Sequence, residues 1–257
     1  MSQATLADQV GVTQSMISKF ETGRDTPTGE MMSRLGDALG LTAETIATLI
    51  DQVAELSIEI RTIRVHGRHG QLRVQGQIGE EEAALNRLWV YQAAIIPGLL
   101  QVPEYTAALL PVMGVEPASH TELLAGRAHR QRVLYDEGRT FRFLLTESVL
   151  RTRVAPVPVM RAQLRRLTAL VDGFPHIQIA VIPTGRRLHR WTMTSFDVVG
   201  DLVSVELKAK EVRLRDPVYL ATYISLFDEM WAEAITGPAL TGVVRDIDRW
   251  LADFADE

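Results

Sequence analysis

The sequence predicts a small all-α domain followed by a larger α+β domain. Short amphipathic segments broken by glycine fill the first fifty-odd residues, whereas beyond Gly138 short alternating apolar runs typical of strands lie between helical segments. A chain of 257 residues is long enough to bury a core in each unit. We therefore expect residues 1–57 to form the small domain, residues 58–79 a basic linker and residues 80–257 the larger domain.

The composition argues against several classes of protein. No apolar run reaches the roughly 18 residues that suggest a membrane span. Residues 1–5 lack both the basic start and the apolar core of a signal peptide. The chain contains no cysteine, which rules out disulfides and thiolate metal sites and fits the cytoplasm. We expect a cytoplasmic protein without a membrane segment, a metal or a cofactor.

Apolar spacing and capping residues predict four short helices in the small domain. Gly11 ends the first helix, and Thr13 is the N-cap of the second. Ile17 is spaced to point back at the first helix. A third apolar stripe follows, and the fourth helix is expected to begin at Thr42 or Ala43. These helices would form a compact unit.

The same patterns assign elements to the rest of the chain. A basic, glycine-punctuated stretch over residues 61–73 is typical of a linker, and a helix is expected to resume at Glu80 and to include Leu88. Further helices are predicted at residues 120–135, 159–171, 218–235 and 240–254. Strands are predicted at residues 141–145 and 177–182, and a hairpin at residues 195–199 and 202–207.

A specific combination of residues marks the start of the chain. Residues 2–24 hold a glutamine, a Leu-Ala pair, a glycine, a threonine N-cap, an Ile-Ser pair and a Glu-x-Gly-Arg ending, with a proline beyond. The segment resembles the helix-turn-helix of the repressor/Cro (xenobiotic-response-element) family, which implies that the second helix enters the major groove of DNA. The resemblance assigns base contacts to Gln14, Ser15, Ser18 and Lys19. It assigns phosphate contacts to Gln3, Thr22 and Arg24.

Other interpretations of these residues stay open. On a lone helix the same polar side chains would be explained as a solvated face. Glu21 has a structural place in the family, so we expect it to make a hydrogen bond at the helix end rather than to contact a base.

The helix-turn-helix segment differs from the family pattern in two ways. Related domains begin with one more helix, so we expect an arginine-containing amphipathic helix to be encoded upstream of Met1. Without it, Leu6, Val10 and Leu39 would be partly uncovered. Residues 1–57 also hold three Lys and Arg against eight Asp and Glu. Such an acidic module binds DNA weakly unless positive charge comes from elsewhere.

A second resemblance covers the larger domain. Residues 96–109 are similar to the signature of an uncharacterised, antitoxin-like C-terminal domain that follows such helix-turn-helix units in actinobacterial regulators. Members are commonly encoded beside a small partner protein, so the resemblance implies that this domain binds that partner or a ligand and thereby changes DNA affinity. The residues that would line a groove for it are Pro97, Gly98, Leu99, Leu100, Gln101 and Tyr105. The alternative is that they pack the core.

No grouping of residues predicts catalysis. His66 and His69 stand three residues apart without a nearby carboxylate, and residues 185–187 lack the spacing of a phosphate-binding loop. We therefore expect a DNA-binding regulator and not an enzyme, and the resemblance implies a homodimer. The alternatives are a protein-interaction module with a degenerate DNA head, and a small-molecule sensor.

Overall fold

A computed structural model describes residues 1–22, 24–56, 58–62, 87–207 and 210–254, with the backbone alone at 54–56 and 58–62. Four helices and one strand come first: α1 (Gln3–Val10), α2 (Gln14–Glu21), α3 (Gly29–Ala38), α4 (Ala43–Leu56) and β1 (Ile58–Thr62). The remaining elements are β2 (Arg87–Gln92), α5 (Pro103–Val112), α6 (His120–Arg130), β3 (Thr140–Thr146), α7 (Glu147–Arg151), α8 (Val157–Gly173), β4 (Ile177–Ile182), β5 (Phe196–Val199), β6 (Leu202–Glu206), β7 (Lys210–Leu214), α9 (Pro217–Glu233) and α10 (Pro238–Ala252).

In the described part of the chain, seven strands form one mixed sheet in the order β1-β7-β6-β5-β2-β3-β4. Strands β2, β3 and β4 are parallel, and the other neighbours are antiparallel. Strands β5 and β6 make the predicted hairpin, with Val199 opposite Leu202. The predicted α+β class is confirmed, although the sheet is larger than the sequence indicated.

Both faces of this sheet are buried. Phe141, Phe143 and Leu145 of β3 pack in one core with α8 and α10, whereas Leu144 packs in a second core with α9. Successive residues of a strand point to opposite faces, so one strand can serve both cores. Burial on both faces also explains why β4 is apolar at five of its six positions.

We call the four N-terminal helices the head; α1, α2 and α3 enclose a small apolar cluster. α1 ends at Gly11, whose φ of 67° lies in the left-handed region, and the hydroxyl of Thr13 accepts a hydrogen bond from the backbone N–H of Met16. Both predicted caps are therefore confirmed. The buried residues of the cluster are Leu6, Ala7, Val10, Ile17 and Leu35.

Exposure in the head differs from expectation at two of three positions. Leu39 is 50% exposed, as expected, but Leu6 and Val10 are only 8% and 2% exposed. The reason is that α2 and α3 cover the inner face of α1, and Ile17 fills the space between α1 and α2.

Two assignments near the expected domain boundary are corrected. Leu88 lies in β2, between β3 and β5, and not in a helix; residues 80–86 lie outside the described residues. The first five residues of the predicted linker form β1, which pairs with β7. The rest of the linker, residues 63–79, lies outside the described residues, as does Gly23.

Part of β6 and β7 carries a buried cluster of polar and charged side chains in place of an apolar core. Ser204 donates its hydroxyl to Glu211 Oε1 at 2.6 Å, and Arg213 Nε donates to the same oxygen at 2.9 Å. Glu211 and Arg213 are buried. Glu206 is exposed at the end of β6, yet the atoms around its carboxyl desolvate it and, with the charge of Glu211, raise its pKa; two arginines of α6 oppose this shift.

The raised pKa of Glu206 gives a pH-dependent prediction. When the pKa of a carboxyl in the folded state exceeds its unfolded value, about 4.3, the free energy of unfolding falls as the pH rises from the unfolded pKa to the folded one. We therefore expect Glu206→Gln to be slightly more stable than the wild type at pH 7, with a difference that shrinks towards pH 4; the gain is small because solvent screens an exposed group. Urea unfolding at several pH values measures it, and Glu137→Gln, at an exposed position, is the control. A gain that is the same at every pH would contradict the assignment.

Candidate nucleic-acid interface

One face of α2 carries the four side chains that the sequence assigned to base contacts. Gln14, Ser15 and Lys19 are exposed, and Ser18 is half-buried. Ile17, on the opposite side of the helix, is 1% exposed in the head core. At 3.6 residues per turn, positions 14, 15, 18 and 19 fall within one side of a helix. The fold therefore brings the four predicted residues together on one accessible surface.

Gln3, at the start of α1, connects to both ends of α2. Its Nε2 donates to Glu21 Oε2 at 2.5 Å, and its Oε1 accepts a hydrogen bond from Gln14 Nε2 at 3.4 Å. An amide nitrogen carries two hydrogens, so Gln3 keeps one donor for a phosphate oxygen. The longer of these bonds links Gln14 to α1. Glu21 makes a hydrogen bond at the end of its helix, as expected, and its donor is a side chain of α1.

Thr22 and Arg24, both assigned to phosphates, have different surroundings. The hydroxyl of Thr22 donates to the carbonyls of Ser18 at 2.7 Å and Lys19 at 3.3 Å, so it satisfies the end of α2. A phosphate contact by Thr22 requires this hydroxyl to reorient. Arg24 is exposed, and its backbone N–H donates to the carbonyl of Lys19 at 2.9 Å. The structure thus holds Arg24 beside the end of α2.

The third cation of the head has a structural role. The guanidinium of Arg34 donates through Nη2 to the carbonyl of Val10, at the C-terminal end of α1. A positive charge there stabilises the helix, because the last carbonyls carry partial negative charge. A Cβ on Gly11 would lie 3.0 Å from the same Nη2, so this close approach adds to the need for glycine. Arg34 is thus engaged at the end of α1, and Lys19 and Arg24 are the two cations of the head that the resemblance assigned to DNA.

The residues predicted to line a groove in the larger domain pack its core. Leu99, Leu100, Gln101 and Tyr105 are each at most 2% exposed, and Pro97 is also buried. Residues Gly98–Leu100 form one turn of 3₁₀ helix rather than an open edge. Gly98 is half-buried, and the burial of the other five residues favours the core-packing alternative for this segment.

A buried glutamine of α8 holds this turn in place. Gln163, at 0% exposure, donates its Nε2 to the carbonyl of Leu100 at 2.8 Å. Its Oε1 accepts from the backbone N–H of Val102 at 2.8 Å. Sequence reasoning missed Gln163, because a single polar residue inside an apolar helical stripe carries no signal of its partner.

A second glutamine extends the network to α5 and α6. Gln101 Oε1 accepts from Thr106 Oγ1 at 2.8 Å and from Arg127 Nη1 at 2.6 Å, and Gln101 Nε2 donates to the carbonyl of Ile96 at 2.6 Å. Burial, and then the charge of Arg130, lower the pKa of Arg127 to about 10. Arg127 is therefore still charged at neutral pH. The side-chain amides of Gln101 and Gln163 each have hydrogen-bond partners within the protein, as buried polar groups require, so we interpret the network as structural.

Metal sites and membrane spans are not found in the described part of the chain. Over the described residues, no group of three or more His, Cys, Asp and Glu is placed to hold a metal ion. His66 and His69 lie outside those residues. Among the helices that the structure describes, none is long and apolar enough to cross a membrane.

The four-helix head and the polar face of α2 define a DNA-binding regulator of the helix-turn-helix class. In agreement, residues 1–46 match the family model described as helix-turn-helix. Residues 75–245 match the model described as a domain of unknown function (DUF5753). Because this second match covers more than half of the chain, the protein belongs to the DUF5753 family.

Two solved structures show distant similarity. One is TrmBL2, an archaeal chromatin protein, at 14% identity over 80% of this chain and 66% of that chain, with a TM-score of 0.39. This chain thus spans just under two thirds of its length. The other is NucT from Helicobacter pylori, at 6% identity over 70% of this chain and 98% of that chain, with a TM-score of 0.41. Similarity this low carries no argument about function. The curated proteins contain no match to this chain.

Proposed function

We propose that the protein is a sequence-specific transcriptional regulator that binds double-stranded DNA as a homodimer. In this proposal residues 1–57 read the DNA, and residues 80–257 form an antitoxin-like domain that binds a small partner protein or a ligand. The observation that carries the proposal is the face of α2, where the four predicted base-contacting side chains lie together opposite a buried isoleucine.

The chemistry of that face suits base readout. A glutamine amide can donate to and accept from an adenine edge in the major groove, and a lysine can donate to guanine O6 and N7. Gln14 is already oriented by Gln3, so less side-chain entropy is lost when it meets a base. Arg24 and the remaining amide hydrogen of Gln3 would hold phosphates beside the helix.

Charge neutralisation at Lys19 is the most direct test of the proposal. We expect Lys19→Gln to weaken binding to a fragment of the protein's own promoter by about ten-fold or more, because one side chain supplies both a base contact and positive charge. The magnitude of the salt slope should fall by about 0.9 for each phosphate that the variant no longer neutralises. Fluorescence anisotropy at several salt concentrations, with the full chain, measures both quantities.

Two further variants test whether the loss is specific to the position and to base contacts. Lys210→Gln, at an exposed position on β7, removes the same charge from the larger domain and should leave the affinity unchanged. Gln14→Ala should lower the affinity for the promoter more than the affinity for unrelated DNA, since it removes only base readout. The proposal fails if the wild type shows no salt-sensitive binding, or if Lys19→Gln binds as the wild type does.

The acidity of the head favours a second candidate function. Lys19 and Arg24 face eight carboxylates in residues 1–57, and Arg34 is engaged at the end of α1. A protein-interaction module whose head no longer binds DNA would have such a charge balance. Capture of the small protein encoded nearby, with no shift of promoter DNA, would favour this function over the regulator.

A further inference from the structure

We infer that two copies of this chain form a dimer in which the head of each copy docks on the larger domain of the other. The docking surfaces are the corner between α3 and α4, residues 37–44, and the loop between β4 and β5, residues 183–195. The inference rests on the proposed function, because it assigns surfaces to the proposed homodimer. Each surface exposes apolar side chains, and the charges around them are opposite in sign.

The β4–β5 loop is long but firmly attached. Loops of about this length without helix or strand are uncommon, and they are usually functional or disordered. Two carboxylates of α9, one helical turn apart, hold this loop. Glu233 accepts a hydrogen bond from the backbone N–H of His189 at 3.1 Å. Glu229 accepts one from Arg190 Nε at 2.6 Å. The loop is therefore tied to the helix behind it.

This loop displays two large apolar side chains. Trp191 is 53% exposed and Met193 is 78% exposed. Between them, the carbonyl of Thr192 accepts a hydrogen bond at 2.7 Å from the hydroxyl of Tyr91, which lies in the core. Burial raises the pKa of Tyr91 to about 12, and the side chain of Trp191 beside its hydroxyl opposes this rise. A tryptophan held in this way loses little conformational entropy when a partner covers it, and tryptophan is enriched among the residues that dominate binding energy.

The α3–α4 corner displays a matching apolar pair. Leu39 is 50% exposed and Leu41 is 37% exposed. Their backbone N–H groups donate to carbonyls of α3, and Gly40 between them has a φ of 68°, in the left-handed region. None of residues 37–44 is among those assigned to DNA. The corner is therefore an ordered apolar surface distinct from the α2 face.

Charge selects a second copy as the occupant. The loop contains three arginines and no Asp or Glu, and both Arg187 and Arg190 are exposed. The leucines of the corner lie between Asp37 and Glu44, which are also exposed. Three cations against eight carboxylates give the head the whole net charge of −5, so the head of another copy is an acidic partner for this loop. An apolar centre with complementary charges around it is typical of a specific interface.

A two-fold axis makes this contact twice. Each copy offers one corner and one loop, so a closed dimer forms two equal corner-to-loop contacts. The corner and the loop together supply about 20 residues per copy, close to the roughly 20–30 residues per side of a standard interface. Two such contacts are therefore large enough for a stable dimer.

Mixing two charge-reversed variants of the full chain, without DNA, tests the contact. The head variant carries Asp37→Lys with Glu44→Lys, and the loop variant carries Arg187→Glu with Arg190→Glu. When either variant pairs with itself, like charges face each other at both contacts, so we expect the dimer dissociation constant to rise by about ten-fold or more. In the mixed dimer opposite charges face each other at both contacts, so the mixture should recover the wild-type affinity. Sedimentation velocity at several concentrations measures it.

Apolar variants test the same contact without changing charge. Leu39→Ser and Met193→Ser should each weaken the dimer, whereas Val112→Ser, at a position that is 67% exposed on α5, should not. Arg132→Glu with Arg245→Glu, at exposed positions outside both surfaces, controls for the change in net charge. If circular dichroism shows that a charge-reversed variant fails to fold, the two serine variants decide.

The outcomes separate this inference from the proposed function. If the wild type sediments as a dimer but the mixture of folded variants does not recover it, the contact is wrong and the regulator stands. A wild type that sediments as a monomer would overturn both the contact and the homodimer, and would leave the two surfaces to another partner protein. DNA binding is decided separately, by the anisotropy titration.

Discussion

Replacing Gln163 by leucine is expected to lower the free energy of unfolding of the larger domain by about 2–6 kcal/mol. Leucine is of similar size, so the loss does not come from a cavity. It comes from the carbonyl of Leu100 and the N–H of Val102, which are left without partners in the core. Each buried backbone group left without a hydrogen bond costs about 1–3 kcal/mol.

Urea unfolding followed by tryptophan fluorescence measures this loss. All four tryptophans lie in the larger domain, so the signal reports on that domain alone. Gln178→Leu, at an exposed position on β4, makes the same chemical change without burial and should stay within about 0.5 kcal/mol of the wild type. Equal losses in the two variants would mean that the Gln163 bonds do not stabilise the fold.

The network changes the interpretation of the segment after Pro97. Gln163 ties the 3₁₀ turn to α8, and Gln101 ties it to α5 and α6. A segment held by so many internal hydrogen bonds has few groups left for a partner. A partner or ligand of the larger domain is therefore better sought on exposed surface than at these residues.

The head could be predicted because its signals are local. Gly11 ends α1 through its own backbone conformation, and Thr13 caps α2 through an N–H three residues away. The polar face of α2 follows from helical spacing. The bonds from Gln3 to Gln14 and Glu21 could not be predicted, because they depend on how α1 packs against α2.

The sheet was harder to predict because its pairs are distant in the chain. β1 and β7 pair although about 150 residues separate them in the chain. In β7 the buried residues Glu211 and Arg213 are charged, so its sequence lacks the alternation of apolar and polar residues that predicts a strand. The sequence around Leu88 predicted a helix, yet β2 is fixed by its pairing with β3 and β5. The hairpin of β5 and β6 was predictable, since a two-residue turn joins its strands.

Replacing Ile17 by alanine is expected to destabilise the head strongly and to weaken DNA binding. Ile17 is 1% exposed and packs between α1 and α2. Truncating such a side chain costs about 2–5 kcal/mol. A domain of this length has a total stability of about 3–8 kcal/mol at the usual value per residue. The loss therefore takes away much of what keeps the α2 face in place, and promoter affinity should fall by about ten-fold or more.

Two measurements on the full chain separate the parts of this prediction. Promoter binding reports on the head, whereas tryptophan fluorescence reports on the larger domain, since the head contains no tryptophan. Met16→Ala, at the neighbouring position and 38% exposed, should change both signals much less. If Ile17→Ala also lowered the urea midpoint of the tryptophan signal, the head and the larger domain would unfold as one unit. β1 would be the physical reason, because it follows α4 directly and pairs within the sheet.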